Sequence, residues 1–534
     1  MGTEEKSSPQ GMGRSMLSST AGILLSRVFG LARDVCSAAY WGASDVAQAA
    51  YTVAFAIPNS LRQLFGEGAF TSAFVPMISG HLATDEREKA WKLASRAITL
   101  QFVVLAAVAL VFALVGGTLG FLHVFQDPTT DTAMRILPVL MPFAVLICMA
   151  GALSSILNSL KAFFLPSIMQ IIFNAVQVAV IGLLAWCWKN DDPVALWIFC
   201  GSTLLAGILQ VAALLFACRK HGYVYHFDLS VKDPEVGQLC RRILPGLVGA
   251  GVMQINSLID KVLGLILGSA AIGALTFSQR LVYLPVGIFG VAMGMVALPA
   301  LSRAQAREDR QGVADGLNYA LRTVLFLALP CTAFLLVGGQ YVITFLFARG
   351  AFNDSAIVET SFTLAFYVMG LPAFCCAKVA TNPFHARKDT RTPMLIAVGC
   401  MFLNLILNLI LMRFLKQGGL ALSTSICSWL NVVVLLGLNR KFLPEWNPWK
   451  ILKDALTLLV AAAISAAGGW CVLKGLFWAM AYFEILGRLL PTQTILFGFY
   501  VVCMLAGTGV AYLLACLLLR RPEPRELMRS VLRR

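Results

Sequence analysis

The stretch Gln101–Leu122, QFVVLAAVALVFALVGGTLGFL, runs for 22 residues without a single charge. As a helix it would extend about 33 Å, close to the thickness of a bilayer's hydrocarbon core. Upstream of it come Arg87, Lys89, Lys92 and Arg96, so charge stops where the apolar run begins. Similar runs recur along the chain, near 15–40, 46–80, 93–122, 133–159, 164–187, 193–218, 236–267, 270–301, 315–347, 356–384, 392–413, 418–439, 453–478 and 492–519. The expected fold is therefore an all-α polytopic membrane protein with fourteen transmembrane helices. The segments at 46–80 and 270–301 exceed one bilayer's length and are expected to tilt, bend or run past the lipid face. Composition agrees with this reading. Of 534 residues, 58% are hydrophobic and only 13% are charged, and the mean hydropathy is +0.78. A soluble domain carries about a quarter charged residues, so lipid must be the solvent for most of this chain.

The loops alternate in charge. Basic connections hold Arg87, Lys89, Lys92 and Arg96, then Lys161, then Arg219, Lys220, Lys232, Arg241 and Arg242, then Arg303, Arg307 and Arg310, then Arg387, Lys388 and Arg391, then Arg440, Lys441, Lys450 and Lys453. The intervening ones are short and poor in Lys and Arg, with Arg413 and Lys416 as the main exceptions. Cytoplasmic loops carry the positive excess, which places both termini in the cytoplasm and agrees with an even span count. An internal repeat supports two lobes. FVPMISGHLATDEREKAWKLASRA (Phe74–Ala97) parallels ALPALSRAQAREDRQGVADGLNYA (Ala297–Ala320), and ILNSLKAFFLPSIMQIIFN (Ile156–Asn174) parallels PFHARKDTRTPMLIAVGCMFLN (Pro383–Asn404), a spacing of about 225 residues. The organisation read from this is a tail at 1–14, an N-lobe of six spans at 15–218, a cytoplasmic linker at 219–235, a C-lobe of six spans at 236–439, two extra helices at 440–519 and a basic tail at 520–534. An even number of spans per unit relates the lobes by an axis along the membrane normal.

Several function classes are set aside. The net charge of +15, from 42 Lys and Arg against 27 Asp and Glu, follows from loop topology, and no basic stripe with interleaved aromatics suggests nucleic acid. The 14 cysteines lie mostly in apolar runs and lack zinc-site spacing, so they read as small buried hydrophobes. Residues 1–14 are polar and open no short signal-peptide core, so the first apolar segment is expected to stay as a span. The five histidines show no HExxH pattern, and no nucleophile arrangement can be argued. No catalytic residue is expected, and the chain reads as a transporter rather than an enzyme.

The anomaly is arginine inside the spans. Arg27 lies about a dozen residues into the first span, with Arg33 and Asp34 beyond Gly30; Arg62 is mid-way along the second segment, with Glu67 five residues on; Arg280 is inside the eighth. Each costs about 2.5–3.5 kcal/mol at mid-depth, and four facing lipid would cost on the order of 10 kcal/mol. Two readings compete. Pairing with Asp34, Glu67 or Asp260 would make the arginines interhelical ties. A surplus of cation would instead line a wet cavity for an anion, and guanidinium forks match phosphate oxygens. Arg27 and Arg33 stand about 120° out of register on a straight helix, so sharing one cavity calls for a bend, with Gly30 the place for it. Asp260 beside Lys261 reads as a neutralised pair by default; with Asp389 or Asn404 it would form an oxygen site for a small cation. GEGAF (Gly66–Phe70) and LPVGIFGVAMG (Leu284–Gly294) read as close helix packing or hinges.

SRVFGLARD (Ser26–Asp34), AFAIPNSLRQLFGEGAFTSAFVP (Ala54–Pro76), FSQRLVYLPVGIFGVAMG (Phe277–Gly294), LFARGAF (Leu346–Phe352) and ARKDTRTP (Ala386–Pro393) resemble the MurJ/MviN family of bacterial lipid II flippases. That family sits in the MATE-like multidrug/oligosaccharidyl-lipid/polysaccharide exporter superfamily. The resemblance covers essentially the whole chain. It implies two six-helix lobes around a cationic cavity, and two further helices bordering a groove for a lipid tail. It places the family's cavity arginines on Arg27, Arg33, Arg62 and Arg280, and Asn59, Glu67 and Asp34 of the same motifs count with them as candidate substrate-binding residues. The implied passenger is lipid II, the undecaprenyl-pyrophosphate-linked disaccharide-pentapeptide, crossing the bacterial cytoplasmic membrane. Membrane lipids and the cell-wall synthesis machinery are further implied partners. Some members resemble sodium binders, and of those ligands Asp260 and Asp389 match here while His385 stands where asparagine is usual; sodium or a proton is thus the implied coupling ion, with no other cofactor. Two departures stand out. The family's acid in its DAF pattern meets Ala49 in QAAY (Gln48–Tyr51), with Asp45 nearby, and the second arginine of its LRR meets Gln63. A flippase for another polyprenyl-linked saccharide and a cation-coupled drug exporter of the same fold are the rival functions, the latter wanting an acidic cavity. A non-transporting scaffold for cell-wall synthases is the third.

Overall fold

The computed structural model describes residues 9–66, 68–187, 193–230, 233–483 and 493–524, and among these the regular structure is entirely helical. Twelve helices are long and apolar enough to cross a bilayer, and they answer to the third through fourteenth expected segments. The first two expected segments are helical as well and are the ones that carry Arg27, Arg33 and Arg62. The protein is multi-pass. The chain forms two compact units, residues 1–269 and 270–534.

The first unit contains α1 (Pro9–Trp41), α2 (Val46–Leu61), α3 (Ala69–Ala83), α4 (Arg87–Phe121), α5 (Pro128–Ser159), α6 (Phe164–Cys187), α7 (Pro193–Lys220) and α8 (Pro234–Leu267). Its centre is α5, which packs on α2, α3, α4 and α7 and is buried over 67% of its apolar window, against 28% for α4. The difference is chemical. Asp127 caps α5 by accepting from the Thr130 N–H at 2.8 Å, and Pro128 opens the first turn, the N-terminal chemistry a helix needs. α4 instead turns Val103, Val104, Leu110, Val111, Leu114 and Val115 outward, a surface that only lipid can cover at this density. Between α1, α2, α6 and α7, where no water satisfies polar groups, buried side chains bond each other. Tyr51 and Thr203 share a hydrogen bond of 3.0 Å, Gln177 Nε2 donates to Thr203 at 2.9 Å, and Ser37 donates to Gln48 at 2.6 Å. By its packing on α3 and α2, α8 joins this first unit, one helix beyond the sequence boundary drawn at 218.

The segment leading into α8 is strapped to α4. Tyr223 and Tyr225 meet Ser95 at 3.2 Å and Thr99 at 2.9 Å, and Arg96 binds Asp228 at 2.7 Å and also Asp233. Asp233 in turn caps α8 through the Glu235 N–H at 2.8 Å. One guanidinium therefore holds both the strap and the start of the next helix.

The second unit contains α9 (Ser269–Pro285), α10 (Ala292–Ala306), α11 (Arg310–Phe347), α12 (Asp354–Ala380), α13 (Asn382–Ala386), α14 (Arg391–Leu415), α15 (Gln417–Phe442), α16 (Pro448–Phe483) and α17 (Gln493–Leu518). α12 packs between α11 and α15, and the last pair, α16 and α17, packs on α11. Charges fasten that pair at one end: Arg521 binds Asp454 at 2.6 Å and Glu523 at 2.6 Å, and Glu523 also meets Arg322 of α11 at 3.2 Å.

The strap's response to pH follows from Asp228. The Ser230 hydroxyl and then the Arg96 guanidinium hold its carboxyl down at about 2, below its ordinary 3.8. A depressed carboxylate contributes fully above its unfolded value and loses that contribution as pH falls through the folded one. Hydrogen exchange of residues 221–230, corrected for the intrinsic rate, should stay constant from neutrality to about pH 4 and rise only on further acidification. Arg96→Gln should raise it at neutral pH. Release already at pH 6 contradicts this account of the strap.

Candidate functional site

α1 runs through Gly30 as one continuous helix. Both side chains are half-buried. Arg33 donates to Asp34 Oδ1 from Nη2 at 2.7 Å and from Nε at 3.2 Å, and its guanidinium carbon lies 5.7 Å from the Phe173 ring centre. Arg33 is thus paired, but with its neighbour on the same helix, so the pair ties no two helices together. Among the described residues Arg27 makes no ion pair.

The long second segment is interrupted. After α2, Arg62–Gly66 forms a π-helical turn, and Gly68 then takes φ +58° before α3 begins. Arg62 opens that turn, and its Nε donates to Asn59 Oδ1 at 3.1 Å. A π-turn widens the helix by one residue and loosens its carbonyls. Here they find donors across the bundle: Gln101 Nε2 meets the Phe65 carbonyl at 2.7 Å, and the Cys148 thiol meets the Leu61 carbonyl at 3.5 Å. Gln101 is the lone polar side chain at the edge of the apolar run that opens α4, which was the available signal for it. The turn presses on α5 so closely that a Cβ on Gly151 would sit 2.1 Å from the Gly66 oxygen. Glu67 lies outside the described residues, so its pairing with Arg62 does too.

The departures from the family pattern acquire local jobs. Asp45 caps α2, accepting from the Ala47 N–H at 2.6 Å and the Gln48 N–H at 3.3 Å, while Ala49 is fully buried. Gln63 accepts from Gln254 Nε2 at 2.8 Å, tying the π-turn to α8.

Arg280 projects exposed from α9 of the second unit, two residues beyond the buried Ser278. α9 ends in a second π-turn, Val286–Val291, where a Cβ on Gly290 would lie 2.8 Å from the Cys375 Cα. Gly66 and Gly290 are 224 residues apart, as are Gly151 and Cys375, so the repeat seen in sequence reappears as geometry. Asp260 is half-buried on α8 beside Lys261 in the first unit. Asp389, in the second, accepts from the N–H groups of Arg391 at 3.1 Å and Thr392 at 3.0 Å and from the Thr392 hydroxyl at 2.6 Å. Those donors, the Thr392 hydroxyl foremost, hold its carboxyl below the ordinary value. Among the described residues no three His, Cys, Asp or Glu side chains cluster as a metal site would require.

Guanidinium groups built into a bundle of apolar helices are what a membrane transporter of anionic cargo requires. The fold agrees: a MATE-family multidrug transporter in its inward-facing conformation superposes with a TM-score of 0.66 over 81% of this chain and 98% of its own, at 12% identity. A solved lipid II flippase MurJ in an inward closed conformation superposes with a TM-score of 0.76, at 25% identity over 96% of this chain and 99% of its own. A probable lipid II flippase MurJ from Rhizobium tropici is 30% identical over 516 residues, covering 93% of this chain and 95% of the relative. The model of the family described as lipid II flippase MurJ matches residues 37–490. The chain belongs to that family.

Gly151→Ala should drive the π-turn off α5, since the added methyl meets backbone that cannot rotate away. Overpacking of this kind typically costs about 1–3 kcal/mol, so the purified protein should melt several degrees lower. Gly182→Ala on α6, where a Cβ meets nothing within 4 Å, should not lower the melting temperature. Equal melting of Gly151→Ala and wild type would show that the close approach is not maintained.

Proposed function

We propose that this protein is a flippase that moves lipid II from the cytoplasmic to the periplasmic leaflet of the bacterial inner membrane by alternating access, with both termini in the cytoplasm. The observation that carries the proposal is Arg27, a guanidinium half-buried in a membrane helix that makes no ion pair among the described residues. A cation at that depth needs a partner or water. A pyrophosphate passenger supplies the partner, and a wet passage supplies the water in its absence. Membership of the lipid II flippase MurJ family and the names of the relatives support the choice of passenger.

In this reading Arg27, Arg33 and Arg62 of the first unit and Arg280 of the second neutralise the pyrophosphate and the acids of the sugar-peptide head. Asn59 orients Arg62, Asp34 orients Arg33, and Glu67 belongs to the same motif. The passenger shifts the conformational equilibrium only as far as it binds one state better than the other. The membrane potential, worth about 2.3 kcal/mol per charge per 100 mV, is a candidate drive for a negatively charged head. A sodium ion on Asp260 and Asp389, or a proton, belongs to the proposal only as coupling ion, and no step above is routed through it.

Arg27→Ala and Arg280→Ala should each abolish growth of a flippase-depleted strain at normal expression, with lysine at either position restoring part of it. Depletion of the protein should leave lipid II accumulating in the inner leaflet. Full growth of the alanine variants contradicts the cationic site, and accumulation of a different polyprenyl-linked saccharide would redirect the passenger.

A further inference from the structure

We infer that Phe173 of α6 is a positioning residue for Arg33, holding the plane of its guanidinium so that one edge of the fork stays open to a phosphate; this rests on the substrate-binding role proposed above.

The geometry of the three groups leaves little freedom. Asp34 Oδ1 engages Nε and Nη2, which occupies one edge of the fork and fixes its rotation within the plane. The ring of Phe173 lies 5.7 Å from the guanidinium carbon, within the range at which a cation is attracted to an aromatic face, and is the surface against which the plane of the fork would be held. Among the described residues no acceptor meets Nη1. The edge formed by Nη1 and the outward N–H of Nη2 is the one left for a bidentate oxyanion.

Phe173 is itself immobile. It is 2% exposed, stacks on Phe55 with ring centres 5.9 Å apart and tilts against Phe143 at 5.5 Å. The next residue, Asn174, is equally buried and donates Nδ2 to the Ser26 carbonyl at 3.3 Å. A Cβ on Gly30 would lie 3.5 Å from that same nitrogen, so the glycine face of α1 is where α6 takes hold. This bears on how Arg27 and Arg33 share a site although α1 is unbroken. Helical side chains lean toward the N-terminus, and the ring that receives Arg33 adjoins the residue bonded to Ser26, next to Arg27.

A core phenylalanine with no role in binding makes a different prediction from a positioning one, and a double-mutant cycle separates them. The full chain in nanodiscs is titrated with lipid II as wild type, Phe173→Leu, Arg33→Ala and the pair. Phe173→Leu should weaken binding roughly three- to tenfold, Phe173→Tyr should keep wild-type affinity, and Phe173→Leu should add nothing once Arg33 is alanine. Arg33→Lys, which keeps the charge and loses the flat fork, should also bind weakly. Should Phe173→Leu fail to accumulate, Phe173→Met carries the same comparison at similar volume and without an aromatic face. Losses that simply add in the double variant overturn the positioning role. So does a Phe173→Leu protein that binds as wild type. A wild type that does not bind lipid II removes the proposed function and this inference with it.

Discussion

A bilayer offers a buried polar group no water, and nearly every feature of this molecule is an answer to that constraint. Helices satisfy their own backbones, so all regular structure among the described residues is helical. The instructive places are those where the helix fails to do so. At the π-turn of Arg62–Gly66 the freed carbonyls are met by Gln101 and Cys148 from two other helices. The same rule governs the arginines with larger stakes, because a guanidinium carries a full charge and five donors. Arg33 has a carboxylate, a ring and one open edge.

Much of this is legible in the sequence for a simple reason. Apolar runs of some 20 residues have few alternatives to spanning, so twelve helices appear where the runs are, with the expected breaks in charge between them. Insertion cost draws Arg27, Arg33, Arg62 and Arg280 to notice before any coordinates, together with the acids Asp34 and Glu67 of the same segments. The repeat is equally visible because both copies must place a glycine against a neighbouring backbone.

What stayed hidden depends on three-dimensional partners. Nothing in the sequence near Gly30 signalled that Asn174 of α6 would bond across to the Ser26 carbonyl of α1. The excess length of the second segment is visible in the sequence, but not the π-turn of Arg62–Gly66 and the Gly68 backbone at φ +58° that interrupt it. Asp45 looked like a displaced family acid and is a helix cap. Gln63 looked like a lost arginine and is one half of an amide pair with Gln254. No spacing rule announces such pairings. They become readable only when two distant segments lie side by side.

The two π-turns carry a historical implication. A π-turn is one extra residue lodged in a spiral that had no need of it, and it rotates everything beyond it by about 100°. Such an insertion arising twice by chance, in the same register and with the same backbone pressed against it, is improbable. A surplus residue already present in a half-length ancestor that was then copied and joined to itself accounts for both turns at once.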